Sequence, residues 1–192
     1  LQISLQLLVF CVSPKADHLL RMLPPRVSSP LAETVDRHML ETLQKLFRFE
    51  LDALQCAQAQ WKISHGGVGL RQRGGSHPAA AWLASWAHCY CQVAQCTPWR
   101  LPVALESSAS GTIANDIHSA ATSLVSDGAS SAQALLDGAI WRGSLSQSAG
   151  KGFQRDWRCA LEAATRERWL VAACSDHVAA LGSCSGWPAG AT

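Results

Sequence analysis

The feature that most constrains the fold is a run of apolar residues spaced by three and four positions. Its members are Leu31, Val35, Met39, Leu43, Phe47, Leu51 and Leu54. Because an α-helix turns once every 3.6 residues, this spacing places all of them on one face. The pattern predicts a continuous helix over residues 31–60. Ser29 and Pro30 precede it as N-cap and first helical residue, and Glu33 lies in its first turn.

The opposite face of this predicted helix is charged. It carries Glu33, Asp36, Arg37, Glu41, Lys45 and Arg48. Charges of both signs that alternate along one helix face are typical of a solvent-exposed surface. We therefore expect these side chains to face water.

The remaining helix signals predict an all-α fold. Ser76–His77–Pro78 starts a second helix that Pro98 ends, and residues 153–173 form a last helix. Hydrophobic residues make up 48% of the chain and charged residues 16%, so there is enough apolar surface for a core. We expect an irregular array of about four to six helices, with a glycine-rich loop between the two strongest ones.

Composition divides the chain into three predicted parts. Residues 1–96 are a helical region, residues 97–150 a Ser/Ala/Gly-rich helical linker, and residues 151–192 a C-terminal helix and tail. Within the first part, "LQISLQLLVFCV" is an apolar run that Ser13–Pro14–Lys15 should end. A run of that length is too short to span a bilayer, so no membrane association is expected.

The stretch "WKISHGGVGLRQRGGS", residues 61–76, is the candidate binding site. Gly66, Gly67 and Gly69 can adopt positive φ and leave amide groups uncovered, and small residues allow close approach to neighbouring protein. Cations flank these glycines at Lys62, Arg71 and Arg73. Uncovered amides beside cations, just before a helix, suit a phosphate backbone. The alternative is a flexible turn whose arginines face water.

The sequence contains no complete motif for nucleotide binding, metal binding or catalysis. The loop lacks the third glycine of a dinucleotide fingerprint and the Gly-Lys-Ser/Thr of a phosphate loop. His88, Cys89, Cys91 and Cys96 do not have zinc spacing, and buried free thiols explain them better. No nucleophile elbow and no adjacent aspartates occur, so we expect no catalytic residue, metal or cofactor. The tryptophans at 82, 86, 141, 157 and 169 are expected in the core.

Three segments, taken in order, resemble the region after the catalytic palm in non-LTR retrotransposon reverse transcriptases. These are "KADHLLRMLPP" at 15–25, "GGVGLR" at 66–71 and "AAAWLASWA" at 79–87. The resemblance covers residues 3–96, and a looser likeness covers residues 150–190. The palm aspartates of that family have no counterpart in this chain.

This resemblance implies a non-catalytic, thumb-like or connecting region of an RNA-directed DNA polymerase. Such a region would support a primer–template duplex, with RNA or DNA backbone and the parent's palm domain as partners. Lys62, Arg71 and Arg73 are then the candidate backbone contacts. Eight cysteines without a visible signal peptide favour reduced thiols and an intracellular, including nuclear, location. Two alternatives stay open: a helical protein-interaction module, and a decayed reading frame without a selected role.

Overall fold

The computed structural model describes residues 2–96, 112–137, 152–173, 175 and 178–179. Helices dominate these residues, and no strand occurs among them, which confirms the all-α prediction. They contain more helical segments than the four to six expected, because the predicted long runs are broken into shorter pieces. The described residues belong to two compact units. The first holds residues 2–16, 34–73, 162–173, 175 and 178–179, and the second holds 17–33, 74–96, 112–137 and 152–161.

The N-terminal segment stays helical beyond its predicted end. Helix α1 (Gln2–Leu7) continues through a π-turn (Leu8–Val12) and a 3₁₀ turn (Ser13–Ala16) into α2 (Asp17–Met22). Pro14 lies just after the point where the π-turn changes into the 3₁₀ turn.

The prediction that Ser13–Pro14–Lys15 ends the segment is therefore wrong. Taken together, Gln2–Met22 is long and apolar enough to cross a membrane by length and composition, and 22% of its most apolar window is buried. Core helices of soluble proteins and N-terminal signal segments meet the same criterion, so this property assigns no location.

The amphipathic stretch of residues 31–60 forms two helices, α3 (Pro25–Phe47) and α4 (Ala53–Ala59). Helix α3 begins at Pro25 rather than at Pro30. Pro25 suits the first helical position as well as Pro30 does, and Pro30 is tolerated inside the helix. The break follows Phe47. Arg48 adopts a left-handed φ of 60°, and Asp52 restarts the chain through a capping box with Gln55.

In the first unit, the apolar faces of these helices form two clusters. The larger cluster contains the buried Leu8, Met39, Leu43, Ala59 and Leu70. The smaller cluster pairs Trp61 with Trp169, whose rings meet edge to face at a centroid distance of 5.0 Å. The Trp169 indole N–H also donates to the Leu54 carbonyl at 2.9 Å. This bond ties the last predicted helix, α8 (Phe153–Ala172), to the start of α4.

The second unit is organised around α5 (His77–Cys96), whose predicted start is confirmed. Its small residues, the alanines at 79, 80, 81, 84 and 87, are all buried, and α5 packs against α2 and against α6 (Thr112–Ser126). Ser76, just before α5, hydrogen-bonds to Ser123 Oγ at 2.6 Å and to the Asp127 carboxylate. The start of α5 is thereby fixed to the end of α6.

Part of the predicted linker contributes to the core of the second unit. Beyond α6, a 3₁₀ turn (Ser130–Ala132) leads into α7 (Gln133–Leu136). The buried side chains of α6 and α7 include Ile117, Leu124 and Leu135, which lie in one cluster with Trp82, Leu83 and Trp157. Residues 97–111 and 138–151, with Pro98 and Trp141, lie outside the described residues. The described tryptophans at 82, 157 and 169 are buried as predicted, and Trp86 is half-buried.

Candidate nucleic-acid interface

The glycine loop folds back onto the end of α4. After α4, a 3₁₀ turn (Ile63–His65) ends at Gly66, which has a φ of 79°. A Cβ at Gly67 would lie 2.3 Å from the Trp61 carbonyl oxygen, closer than any side chain can come. Gly69 has a φ of 87°, which L-residues rarely adopt. Glycine is therefore required here for a close backbone crossing.

The amides of these glycines are used inside the loop. The N–H groups of Gly66, Gly67 and Gly69 donate to the carbonyls of Ile63, Lys62 and Trp61 at 3.0, 3.1 and 2.8 Å. The intervening Val68 and the following Leu70 both donate to Ala59 at 3.3 Å. The prediction of uncovered amides is wrong for these residues, because a sharply folded loop pairs its own donors and acceptors.

Arg73 lies inside the protein. It is 3% exposed, and its guanidinium donates to the Arg71 carbonyl at 2.9 Å, to Ser13 Oγ at 2.8 Å and to the Ser13 carbonyl. The Arg73 backbone N–H donates to Asp36 Oδ2 at 2.7 Å, and the guanidinium Nη1 lies 4.0 Å from Asp36 Oδ1. A guanidinium held in this way has no surface to offer a phosphate, so Arg73 anchors the loop.

Asp36 was also expected on the solvated face of the long helix. It is 8% exposed and accepts the Arg73 N–H described above. A buried carboxylate is retained when a cation and a hydrogen-bond donor are both close to it. Its burial therefore follows from the position of Arg73, which lies far along the chain from it.

The structure brings Lys62 together with residues of α8. Its ammonium Nζ lies 2.7 Å from Glu162 Oε2, and the two side chains are 42% and 23% exposed. Arg166 and Glu162 share one face of α8, since they are four residues apart. The sequence analysis missed both α8 residues, because nothing in a local pattern pairs them with a loop so distant in the chain.

The pKa of the His65 imidazole reflects the charges around it. Burial lowers the pKa of its imidazole below the ordinary 6.5, and the nearby Arg166 and Lys62 lower it further, while Glu162 opposes them. A cation is therefore disfavoured at His65. We call Lys62, His65, Glu162 and Arg166 the loop–helix cluster; its two fixed cations face a single carboxylate.

Arg71, the remaining predicted contact, is exposed. The structure thus divides the six predicted site residues into three groups. Lys62 and Arg71 present cationic side chains to solvent, whereas Gly66, Gly67 and Gly69 shape the loop and Arg73 is buried beneath it.

The structure also bears on the thiol and metal interpretations. Cys89 is an exposed free thiol, so the prediction that it is buried is wrong; Cys91 and Cys96 have no described side chains. Within residues 2–96, 112–137 and 152–173, no group of three or more His, Cys, Asp or Glu side chains is arranged to hold a metal ion.

In comparisons with known proteins, no family model, no curated protein and no solved structure matches the sequence.

Proposed function

We propose that this chain supports a nucleic-acid backbone without catalysing a reaction, as the post-palm region of a retrotransposon reverse transcriptase-like protein does. The observation that carries this proposal is the loop–helix cluster. There, Lys62 and Arg166 come close enough to His65 to lower its pKa, so the four residues of the cluster include two cations and the carboxylate of Glu162. Such an excess of positive charge at a folded loop attracts a phosphate backbone.

Binding would proceed by exchange of partners at the cluster. The Lys62–Glu162 ion pair is partly exposed, and pairs of this kind contribute little to stability. Because Glu162 Oε2 is itself buried, its replacement on Lys62 by a phosphate oxygen carries a cost, which the release of counterions from the nucleic acid would offset. Arg71, exposed farther along the same loop, would supply a second backbone contact.

The other predicted residues act indirectly in this proposal. Gly67 and Gly69 permit the crossing that places Lys62 and His65 at the surface, and Arg73 holds the end of the loop to Ser13 and Asp36. None of these three would touch the ligand. Recognition would be through side-chain charge alone and would not depend on base sequence.

The test is a salt titration of affinity for a blunt RNA–DNA hybrid duplex, measured by fluorescence anisotropy. The logarithm of the association constant should fall linearly with that of salt concentration. In Lys62→Ala/Arg71→Ala the slope should be smaller by about 1–2, since each lost phosphate contact removes roughly 0.9. Arg37→Ala, which removes an exposed cation of α3, is the matched control and should change the slope less. Salt-independent binding, or no binding at low salt, would contradict the proposal.

One observation favours a second candidate function, a protein-interaction module. The segment α1–α2 exposes Ile3, Leu7, Phe10 and Met22, at 73%, 54%, 68% and 76%. Ile3, Leu7 and Phe10 follow helical spacing, so they form one apolar stripe. Capture of a protein partner that survives nuclease treatment and is lost in Phe10→Ser would favour this module over nucleic-acid support.

A further inference from the structure

A second surface feature lies at the C-terminal end of α3, within the first unit. It is an open cavity of about 380 Å³. Its lining residues are Glu41, Gln44, Lys45, Arg48, Phe49 and Glu50. It is a shallow depression, since five of its six lining residues are exposed. None of these residues belongs to the loop–helix cluster.

The chain reversal at Arg48 builds this cavity. Arg48 is the one non-glycine residue with positive φ in the described part of the chain, and it stops α3 directly after Phe47. The reversal brings Phe49 against Phe47, with ring centroids 5.8 Å apart and planes 18° from parallel. Phe49 is nevertheless 52% exposed. A large aromatic side chain is thus fixed in orientation yet left open to solvent.

The charges around Phe49 narrow the class of ligand. Lys45 and Arg48 offer two cations, and Glu41 and Glu50 offer two carboxylates. These charges cancel, so the cavity has no net charge to attract a duplex backbone at long range, and an anionic group would be held there only by close contact with Lys45 and Arg48. A ligand that uses all of these groups must have a flat π-face, an anionic group and hydrogen-bond donors.

We propose that this cavity binds one unpaired nucleotide of a single-stranded nucleic acid. The base would stack on Phe49, its phosphate would be held by Lys45 and Arg48, and the carboxylates of Glu41 and Glu50 would accept hydrogen bonds from exocyclic amino groups. Aromatic stacking combined with nearby cations is the usual way to bind single strands, because every base has a π-face. A paired base is inaccessible to Phe49, so a blunt duplex would not use this cavity.

The inference rests on the proposed function and refines it, since it adds an unpaired strand to the duplex backbone.

Binding of a labelled single-stranded DNA decamer and of a blunt duplex is measured by anisotropy for the full chain. Phe49→Ala should weaken decamer binding by about 5- to 100-fold, the range that base–aromatic stacking supplies, and leave duplex binding unchanged. Phe49→Tyr keeps the ring and should retain decamer affinity. Equal decamer affinity in Phe49→Ala and the unsubstituted chain, or no decamer binding at all, would overturn the inference.

Two further variants separate possible failures. Arg48→Gly removes the guanidinium but suits the left-handed backbone, so it should weaken decamer binding while the protein stays folded by circular dichroism. Unchanged decamer binding in this variant would remove Arg48 from the site and overturn the inference as stated. Lys62→Ala/Arg71→Ala should reduce duplex affinity while the Phe49 dependence of decamer binding persists. Duplex binding unaffected by that pair would refute the proposed function without refuting the cavity.

Discussion

Replacing Arg73 with alanine tests whether this arginine is an anchor or a ligand contact. Its guanidinium makes hydrogen bonds to the Arg71 carbonyl and to both oxygens of Ser13, and it is the cation next to the buried Asp36 carboxylate. Arg73→Ala removes all of these interactions at once. The Arg73 backbone N–H still reaches Asp36 after the substitution, so the carboxylate keeps one donor.

The magnitude follows from these contacts. Removing one partner of a buried ion pair costs about 3–5 kcal/mol, because the other charge is left uncompensated. The retained N–H bond to Asp36 and the 4.0 Å separation of the charged atoms place Arg73→Ala near the lower end, at about 3 kcal/mol. For a chain of this size that corresponds to a fall in Tm of about 6–12 °C.

Urea unfolding followed by circular dichroism measures this loss. Arg71→Ala is the matched control, because its side chain is exposed and such substitutions stay within about 0.5 kcal/mol. Asp36→Asn in the Arg73→Ala background should recover part of the stability, since it removes the buried charge that has lost the Arg73 guanidinium but keeps an acceptor for the N–H. If Arg73→Ala were as stable as Arg71→Ala, the assignment of Arg73 as a buried anchor would be refuted.

Three further predictions concern the backbone and pH. Gly67→Ala should destabilise the chain by about 1–3 kcal/mol, because its Cβ would overlap the Trp61 carbonyl. Gly75→Asn should be nearly neutral in urea unfolding, because asparagine tolerates the left-handed φ of 62° at this position and its Cβ meets nothing within 4 Å. Arg48→Gly should raise stability by up to about 1 kcal/mol, as glycine adopts the observed φ without strain. Because folding lowers the pKa of His65, the unfolded chain binds more protons than the folded chain between the two pKa values. The free energy of unfolding should therefore fall as the pH decreases from the ordinary 6.5 through the lower pKa of the folded state. His65→Gln should flatten this part of a profile of stability against pH.

The helices that local signals define were the most predictable. Ser76–His77–Pro78 places a proline in the first turn, and α5 begins at His77. The apolar spacing from Phe153 predicted α8 over nearly its full length. For α8, the apolar face alone indicates nearly the observed boundaries.

Where two local signals compete, the sequence alone did not decide between them. Pro25 and Pro30 both satisfy the rule for a first helical residue, and the structure begins α3 at Pro25. The apolar spacing continues smoothly through residues 48–52, which concealed the capping box of Asp52 and Gln55. Periodicity reports which face is buried, but it does not show that the axis of the helix is interrupted.

The site was less predictable, since its geometry depends on residues distant in the chain. Lys62 was identified from its neighbours, but Glu162 and Arg166 lie a hundred residues away. Arg71 and Arg73 are separated by one residue in the same loop, yet one is exposed and the other is 3% exposed. Only the positions of Ser13 and Asp36 decide between them, and no local pattern contains that information.

The paired amides of the glycine loop lead to a last prediction, which separates two mechanisms of phosphate binding. If backbone N–H groups held the phosphate, affinity would depend on the loop conformation and survive loss of the cations. The N–H groups of Gly66, Gly67 and Gly69 already donate to carbonyls of residues 61–63, so we expect the proposed binding to depend on side-chain charge. Lys62→Gln should therefore weaken duplex binding, whereas Gly75→Asn, in the same loop, should leave it unchanged in the anisotropy titration. A duplex affinity that tolerates Lys62→Gln and Arg71→Gln together would show that the cations are not the contacts.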